Sequence, residues 1–295
     1  MIIKARAYGK INWLLEVAEL RLDKYHELST LFQTIDLYDE LSFSLAQNIS
    51  LKIVDKDFSA NLPIDDSNLV IKAAKLLANY LSKPLGVEIE LKKSIPLGGG
   101  LGGGSADAAI TLLALNKLWQ TELSQQQLME LASKLGSDVP FFLIGGTAWG
   151  KGRGTEITIA PDIDAPYLLL VNPGVEISTS SVYLEFDRLT NYGQMSTLAT
   201  YFFTSKETLF PKINNSLSPM AKAICPIVGV VETRLAELGA EAVLMSGSGA
   251  TVWAHFPSAI SQENAYQALA SSGWLVIKSR AISHQEYQQN LLQIL

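Results

Sequence analysis

Pro96-Leu97-Gly98-Gly99-Gly100-Leu101-Gly102-Gly103-Gly104-Ser105-Ala106 stands between a strand pattern and a helix pattern, and its reading decides the fold. Val87, Ile89 and Leu91 alternate ahead of it, and Ala106 to Trp119 behind it is a long apolar segment without Gly or Pro. Glycine at this density costs backbone entropy, so a chain carries it where the backbone must turn tightly or lie against something large. A loop that opens into a helix N-terminus also presents free N–H groups and the positive end of the helix dipole, which suits a phosphate. A surface linker is the simpler alternative, but a linker would be more polar and less tightly bracketed.

The Walker form of a phosphate loop ends in Gly-Lys-Ser/Thr, whereas Gly103-Gly104-Ser105 has no lysine. The spacing Gly98-x-Gly100-x-x-Gly103 satisfies the dinucleotide pattern, which requires a βαβ context. Here a second helix follows instead. Ser124 and Gln127 form its capping box, and Leu128, Leu131, Ala132 and Leu135 give its apolar face. That context argues against a Rossmann site.

The chain has 295 residues, enough for about two domains. Its 48% hydrophobic content predicts a large core. No apolar run reaches the ~18 residues of a membrane span, and Met1 to Arg6 lacks a signal-peptide pattern. A net charge of -6 argues against a nucleic-acid partner. The single cysteine, Cys225, excludes an internal disulfide and any multi-cysteine metal site. These features predict a soluble, cytoplasmic protein.

Ile3 to Val17 reads as extended structure interrupted at Tyr8-Gly9-Lys10-Ile11-Asn12, with Lys10 set among apolar neighbours. Leu22 to Glu27 is a polar turn carrying Tyr25 and His26 side by side. Leu41, Phe43 and Leu45 alternate as a strand, and Asp66 or Ser67 caps a helix with Leu69, Ala73, Leu76, Leu77 and Tyr80 on one face. After the capped second helix, Leu135-Gly136 ends the element. Asp138 then stands between that helix end and the apolar run Val139 to Leu143, where an aspartate is held in one place, as a turn residue or as a functional one. Gly145 to Gly154 is a second glycine cluster. Beyond Ala160-Pro161 the units shorten. Tyr167 to Val171, Ala242 to Met245, Thr251 to Phe256 and Trp274 to Ser279 read as strands. Ser178 or Thr179 caps a helix carrying Tyr183, Pro219 to Leu238 is helical with a break at Pro226, and Gln285 to Leu295 is a helical tail. Ser246-Gly247-Ser248-Gly249 is a third glycine-rich turn.

Three motifs together resemble the GHMP kinases, the small-molecule kinase superfamily of galactokinase, homoserine kinase and mevalonate kinase. They are an N-terminal strand with a lysine, the Pro-x-x-x-Gly-Leu-Gly loop and a late Gly-Ser-Gly turn. Within that superfamily the chain resembles the branch acting on a cytidine diphosphate sugar alcohol in isoprenoid precursor synthesis. The residues carrying the resemblance are Lys10-Ile11-Asn12, Tyr25-His26-Glu27-Leu28, Leu31-Phe32-Gln33-Thr34, Gly98 to Asp107, Gly136 to Phe142 and Gly152-Arg153-Gly154. The chain departs from the family at Tyr8-Gly9 (usually Pro-Ala), at Lys24 (usually Gly) and at Asn215-Ser216-Leu217-Ser218-Pro219 (usually Asn-Asp-Leu-Glu-Pro).

The resemblance implies a two-domain α+β fold, an ATP-binding domain over residues 1–160 and a ferredoxin-like domain over 161–295, with the last segment free to return to the first. Asp138 is implied as general base and Lys10 as the cation that stabilises the transferring phosphoryl. Pro96, Leu97, Gly98, Gly99, Gly100, Leu101, Gly102, Gly103, Gly104, Ser105 and Ala106 are implied to wrap the ATP phosphates. Magnesium is implied through phosphate oxygens and water, with Ser105 nearby and no dedicated protein cage. For the cytosine end, His26 is implied at the base edge, Tyr25 and Tyr183 on its faces, and Asn12 and Thr179 on polar groups. Small molecules, not nucleic acid or membrane, are the implied partners. Two other readings stay open: a GHMP kinase for another alcohol such as homoserine or mevalonate, and a non-catalytic GHMP-fold ligand sensor.

Overall fold

A computed structural model describes residues 1–54, 62–189 and 206–295. Two long strands, β1 (Ile2–Leu20) and β2 (His26–Ala46), begin the chain as an antiparallel pair. The expected interruption at Tyr8 to Asn12 is a bulge inside one continuous strand: the register jumps from Tyr8 opposite Tyr38 to Lys10 opposite Thr34. Such a bulge bends the strand and re-aims a side chain, and the Lys10 N–H then donates to the Leu101 carbonyl of the glycine loop at 2.9 Å. Strand β3 (Ile49–Ile53) runs parallel to β4 (Gly86–Lys92), which pairs with β2.

Helix α1 (Leu69–Leu81) is capped by Asn68, not by Asp66 or Ser67. The Asp65 carboxylate is engaged with the Ser67 N–H and hydroxyl, and Asp66 with Lys75, so Asn68 is the first residue whose side chain reaches the helix, at Val70 N–H, 2.9 Å away. Tyr80 lies on the exposed side of α1 and its hydroxyl accepts from Gln127. Helix α2 (Gly103–Leu118) follows the glycine loop, and α3 (Gln125–Leu135) has the expected Ser124–Gln127 capping box. Gly136 ends α3 with extended backbone, φ 172°, so it is not the left-handed glycine expected there. A 3-10 turn over Val139–Leu143 then leads to the hairpin β5 (Thr147–Gly152) and β6 (Glu156–Ile159), with β5 on β2.

The remaining elements are β7 (Leu168–Asn172), α4 (Thr179–Leu189), α5 (Lys206–Leu209), β8 (Asn214–Asn215), α6 (Ser218–Ile224), α7 (Ile227–Glu237), β9 (Ala242–Met245), β10 (Val252–His255), α8 (Ala259–Leu269) and β11 (Leu275–Ser279). Their four-stranded sheet is antiparallel in the order β11-β7-β10-β9. Read along the chain this is βαββαβ in spatial order 4-1-3-2, the ferredoxin-like arrangement. The tail is not helical throughout: α9 (His284–Asn290) gives way to β12 (Leu292–Ile294), which pairs with β1. The first sheet thereby closes with β12 at its edge, and β8 also pairs with β1.

Three packed cores hold the two sheets. One sets α1, α2 and α3 on the first sheet, and a second sets α4, α6, α7 and α8 on the ferredoxin-like sheet. The third joins the two, with Trp13 and Trp253 edge to face at 4.8 Å. No helix among the described residues is long and apolar enough to cross a membrane.

Candidate active site

The glycine loop owes its shape to left-handed backbone at Gly98, Gly100 and Gly102, φ 64°, 75° and 73°. The Gly-Ser-Gly turn grips it. Ser246 Oγ donates to the Gly100 carbonyl at 2.9 Å, Thr251 N–H donates to the Gly99 carbonyl at 3.2 Å, and a Cβ on Gly100 would drive into the Ser246 carbonyl. Asn215, in the stretch where the chain departs from the family, donates to the Met245 and Gly247 carbonyls at 2.9 and 2.7 Å and fixes the turn from below. Gly102 caps α2 without a side chain, so the first-turn amides of Gly103, Gly104 and Ser105 are donors an anionic oxygen can take.

Lys10 is buried to 3% exposure and faces Asp138, Nζ to Oδ2 3.5 Å. Its ammonium also donates to Asn12 Oδ1 at 2.7 Å. Asn12 is buried as well, and its amide is used inside the protein: Oδ1 accepts from Gly247 N–H at 3.0 Å and Nδ2 donates to Thr30 at 2.7 Å. Asn12, implied as a substrate contact, lines the cleft and also braces Lys10. Asp138 stays about one-third exposed at the N-terminal end of the 3-10 turn, so its carboxylate opens onto the cleft while its backbone is fixed by the buried Val139–Leu143 run.

Beneath the loop lies a charged triad that sequence reading missed. Lys93 Nζ bonds both Asp39 and Asp107, the latter at 2.8 Å, and all three side chains are buried. Asp39 also accepts from the Ser94 and Ile95 N–H groups, at 2.6 and 2.8 Å. Burial pushes the Asp107 carboxyl up to about 7 against the pull of Lys93, with the Asp39 charge adding to the rise. Burial pulls the Lys93 ammonium down, and the two carboxylates more than offset it. The partners come from β2, from the end of β4 and from α2, so no local spacing could have announced them.

At the other end of the cleft, His26 opens β2 with its Nε2 2.8 Å from Asp187 Oδ1. Tyr183 stacks on its ring at 5.2 Å and Phe186 meets it edge-on at 5.8 Å. Tyr183, implied on a face of the base, lines the cleft and lies over the histidine, because α4 presents Tyr183, Phe186 and Asp187 one turn apart on the same face. Burial, with the Asp138 charge second, pushes the Tyr183 phenol above its ordinary value. Tyr25 is half exposed with the Arg153 guanidinium 4.6 Å above its ring. Ser178 caps α4, and the Thr179 hydroxyl pairs with Ser248 at 2.8 Å, tying α4 to the Gly-Ser-Gly turn. Lys10, Asn12, Tyr25, His26, Asp138, Thr179, Tyr183 and the loop from Pro96 to Ser105 all line one cleft of about 890 Å³. Ala106 is buried behind it.

No group of three or more His, Cys, Asp or Glu among the described residues could cage a metal ion. Among the oxygens lining the cleft, the Asp138 carboxylate and the Ser105 hydroxyl fit a magnesium that keeps phosphate oxygens and water as its main ligands.

Residues 68–146 match the family model described as the GHMP kinases N terminal domain. The chain is 38% identical over 285 residues to the 4-diphosphocytidyl-2-C-methyl-D-erythritol kinase of Syntrophus aciditrophicus, covering 95% of this chain and all of that one. To the enzyme of that name from Pelotomaculum thermopropionicum it is 42% identical, covering 86% and 88%. A crystal structure of 4-(cytidine 5'-diphospho)-2C-methyl-D-erythritol kinase superposes with a TM-score of 0.76 at 32% identity, over 94% of this chain and 98% of that one. Homoserine kinase from Cytophaga hutchinsonii, at 19% identity and a TM-score of 0.73 over 100% and 97% of the two chains, shares the fold. This small-molecule kinase of the GHMP fold belongs to the 4-diphosphocytidyl-2-C-methyl-D-erythritol kinase family.

Proposed function

We propose that this enzyme moves the γ-phosphoryl group of ATP to the 2-hydroxyl of 4-diphosphocytidyl-2-C-methyl-D-erythritol. One observation carries the reading: a single cleft has the Lys10–Asp138 pair at one end, the His26 cluster at the other and the glycine loop alongside. Phosphoryl transfer needs positioning and charge neutralisation more than covalent help from the protein. The loop amides and the α2 N-terminus hold the triphosphate. Asp138 accepts the proton of the attacking hydroxyl, and Lys10, aimed by Asn12, faces the charge that builds on the phosphoryl oxygens. Ser105 would help hold a magnesium bound mainly through phosphate oxygens and water, which would neutralise the phosphate charge.

His26, oriented by Asp187 and stacked under Tyr183, reads the polar edge of cytosine, and Tyr25 supplies a stacking face. Thr179 meets the sugar alcohol near Ser248. A division at Ala160-Pro161 separates the ATP-binding part from the substrate part, with the β12 tail returned to the first. The reaction belongs in the cytoplasm, where ATP is supplied.

Kinetics on a panel of alcohols tests the reading. The cytidine substrate should exceed homoserine and mevalonate in kcat/KM, and His26→Ala should lower kcat/KM for it sharply with ATP affinity unchanged and a near-normal melting temperature. Preference for homoserine or mevalonate, or a stable His26→Ala protein of undiminished kcat/KM, contradicts it.

A further inference from the structure

Gly152-Arg153-Gly154 is a motif that the phosphoryl-transfer chemistry leaves unused. Both glycines have left-handed backbone, φ 66° and 90°, so the tight turn between β5 and β6 projects Arg153 into the cleft. Its guanidinium makes two contacts in different directions. One N–H donates to the Ser133 carbonyl at 3.1 Å, in the last turn of α3. The planar group also lies over the Tyr25 ring at 4.6 Å, a cation–π contact that arginine makes better than lysine.

The turn that carries Tyr25 is built to be held. Lys24 N–H donates to the Arg21 carbonyl at 3.0 Å, Arg21 N–H to the Tyr25 carbonyl at 2.7 Å, and Tyr25 N–H to Asp23 Oδ1 at 3.2 Å. Desolvation, the largest single effect, pushes the Asp23 carboxyl up, and the Tyr25 N–H, Arg21 and Arg153 together more than offset it, holding the group below its usual range. Arg153 therefore touches the turn through the ring and through its field. Its other anchor, Ser133, precedes Asp138 by five residues, at the end of the helix that delivers the aspartate to the cleft.

We infer that Arg153 is a positioning residue for the nucleoside end of the substrate: it occupies one face of Tyr25, so that a pyrimidine base stacks on the other, and it sets that platform at a fixed distance from Asp138. This rests on the reading that the substrate carries a cytidine diphosphate. Tyr25 is half exposed, and an unpinned exposed ring would sample several rotamers and lose part of its stacking energy to ordering on binding.

Steady-state kinetics of Arg153→Ala and Arg153→Lys, alone and in a Tyr25→Ala background, test the inference on the full-length enzyme. Arg153→Ala should raise KM for the cytidine substrate by about tenfold, the scale of one weakened base–aromatic stack, with kcat within a few-fold and KM for ATP unchanged. Arg153→Lys should recover part of the loss. In the Tyr25→Ala background the Arg153→Ala change should cost less than about twofold, because its partner is gone. An equal loss in both backgrounds, or no loss beyond twofold in either, overturns the inference. A wild-type enzyme that does not turn over the cytidine substrate at all defeats the underlying function reading instead, and that control is read first.

Discussion

Lys10 and Asp138 meet at 3.5 Å although 128 positions separate them in the chain. The lysine is buried, and a buried ammonium is tolerated only with partners to receive its protons. Asn12 and Asp138 are those partners, and Asn12 is in turn held by Gly247 and Thr30. Asp138→Asn keeps the size of the side chain and removes its ability to take a proton. It should lower kcat by roughly 10²–10⁴-fold and leave the ATP dissociation constant unchanged by calorimetry. Activity within a few-fold of wild type would remove Asp138 from the role of base. Lys10, Asp138 and His26 could be singled out as candidates because polar residues stood against apolar neighbours or in motifs. Asp187 was not, since it lies 161 residues from the histidine it orients.

Among the elements, the loop and α2 carry two predictions. A Cβ on Gly102 would stand 2.7 Å from Phe142 and 3.1 Å from the Lys10 side chain, so it points into the protein and not toward a bound phosphate. Gly102→Val should still abolish ATP binding, because the left-handed backbone is lost and Lys10 is pushed aside. Unchanged calorimetric affinity in a folded variant would refute this. The second prediction concerns Asp107. Its carboxyl is raised from 3.8 to about 7 in the folded protein. Between those values the folded state holds a proton that the unfolded chain has released, so stability falls as pH rises through that window. Melting temperature should therefore drop from about pH 5 to about pH 8, and Asp107→Asn should flatten that slope by several degrees; parallel wild-type and variant profiles would contradict the triad's role. The Ser124–Gln127 box was readable because a capping box is local in sequence. The triad was not, because Asp39, Lys93 and Asp107 meet only in the folded chain, and the Asn68 cap was not, because Asp65, Asp66, Ser67 and Asn68 are four neighbouring residues that can each cap.

On the scale of the whole molecule, the two sheets share a core at the point where the site is built. Trp253 of the second sheet donates its indole N–H to the Asn12 carbonyl of the first at 3.1 Å, so the same contact that joins the sheets also fixes the strand carrying Lys10. Periodicity made the mixture of strands and helices legible. The return of the last segment to the first sheet was foreseen from the resemblance, but its strand form was not, because a three-residue strand has no period of its own and its pairing with β1 spans the full chain. The central claim is that this cleft phosphorylates the 2-hydroxyl of a cytidine diphosphate sugar alcohol. Proton-coupled ³¹P spectroscopy of the wild-type enzyme with 4-diphosphocytidyl-2-C-methyl-D-erythritol, ATP and magnesium tests it directly. The carbon at position 2 bears a methyl group and no hydrogen, so a phosphomonoester formed there has no proton three bonds away. The account predicts one new phosphomonoester resonance without vicinal splitting, growing as ATP is consumed. A new resonance split by a neighbouring C–H, or ATP left intact beside unreacted substrate, would contradict it.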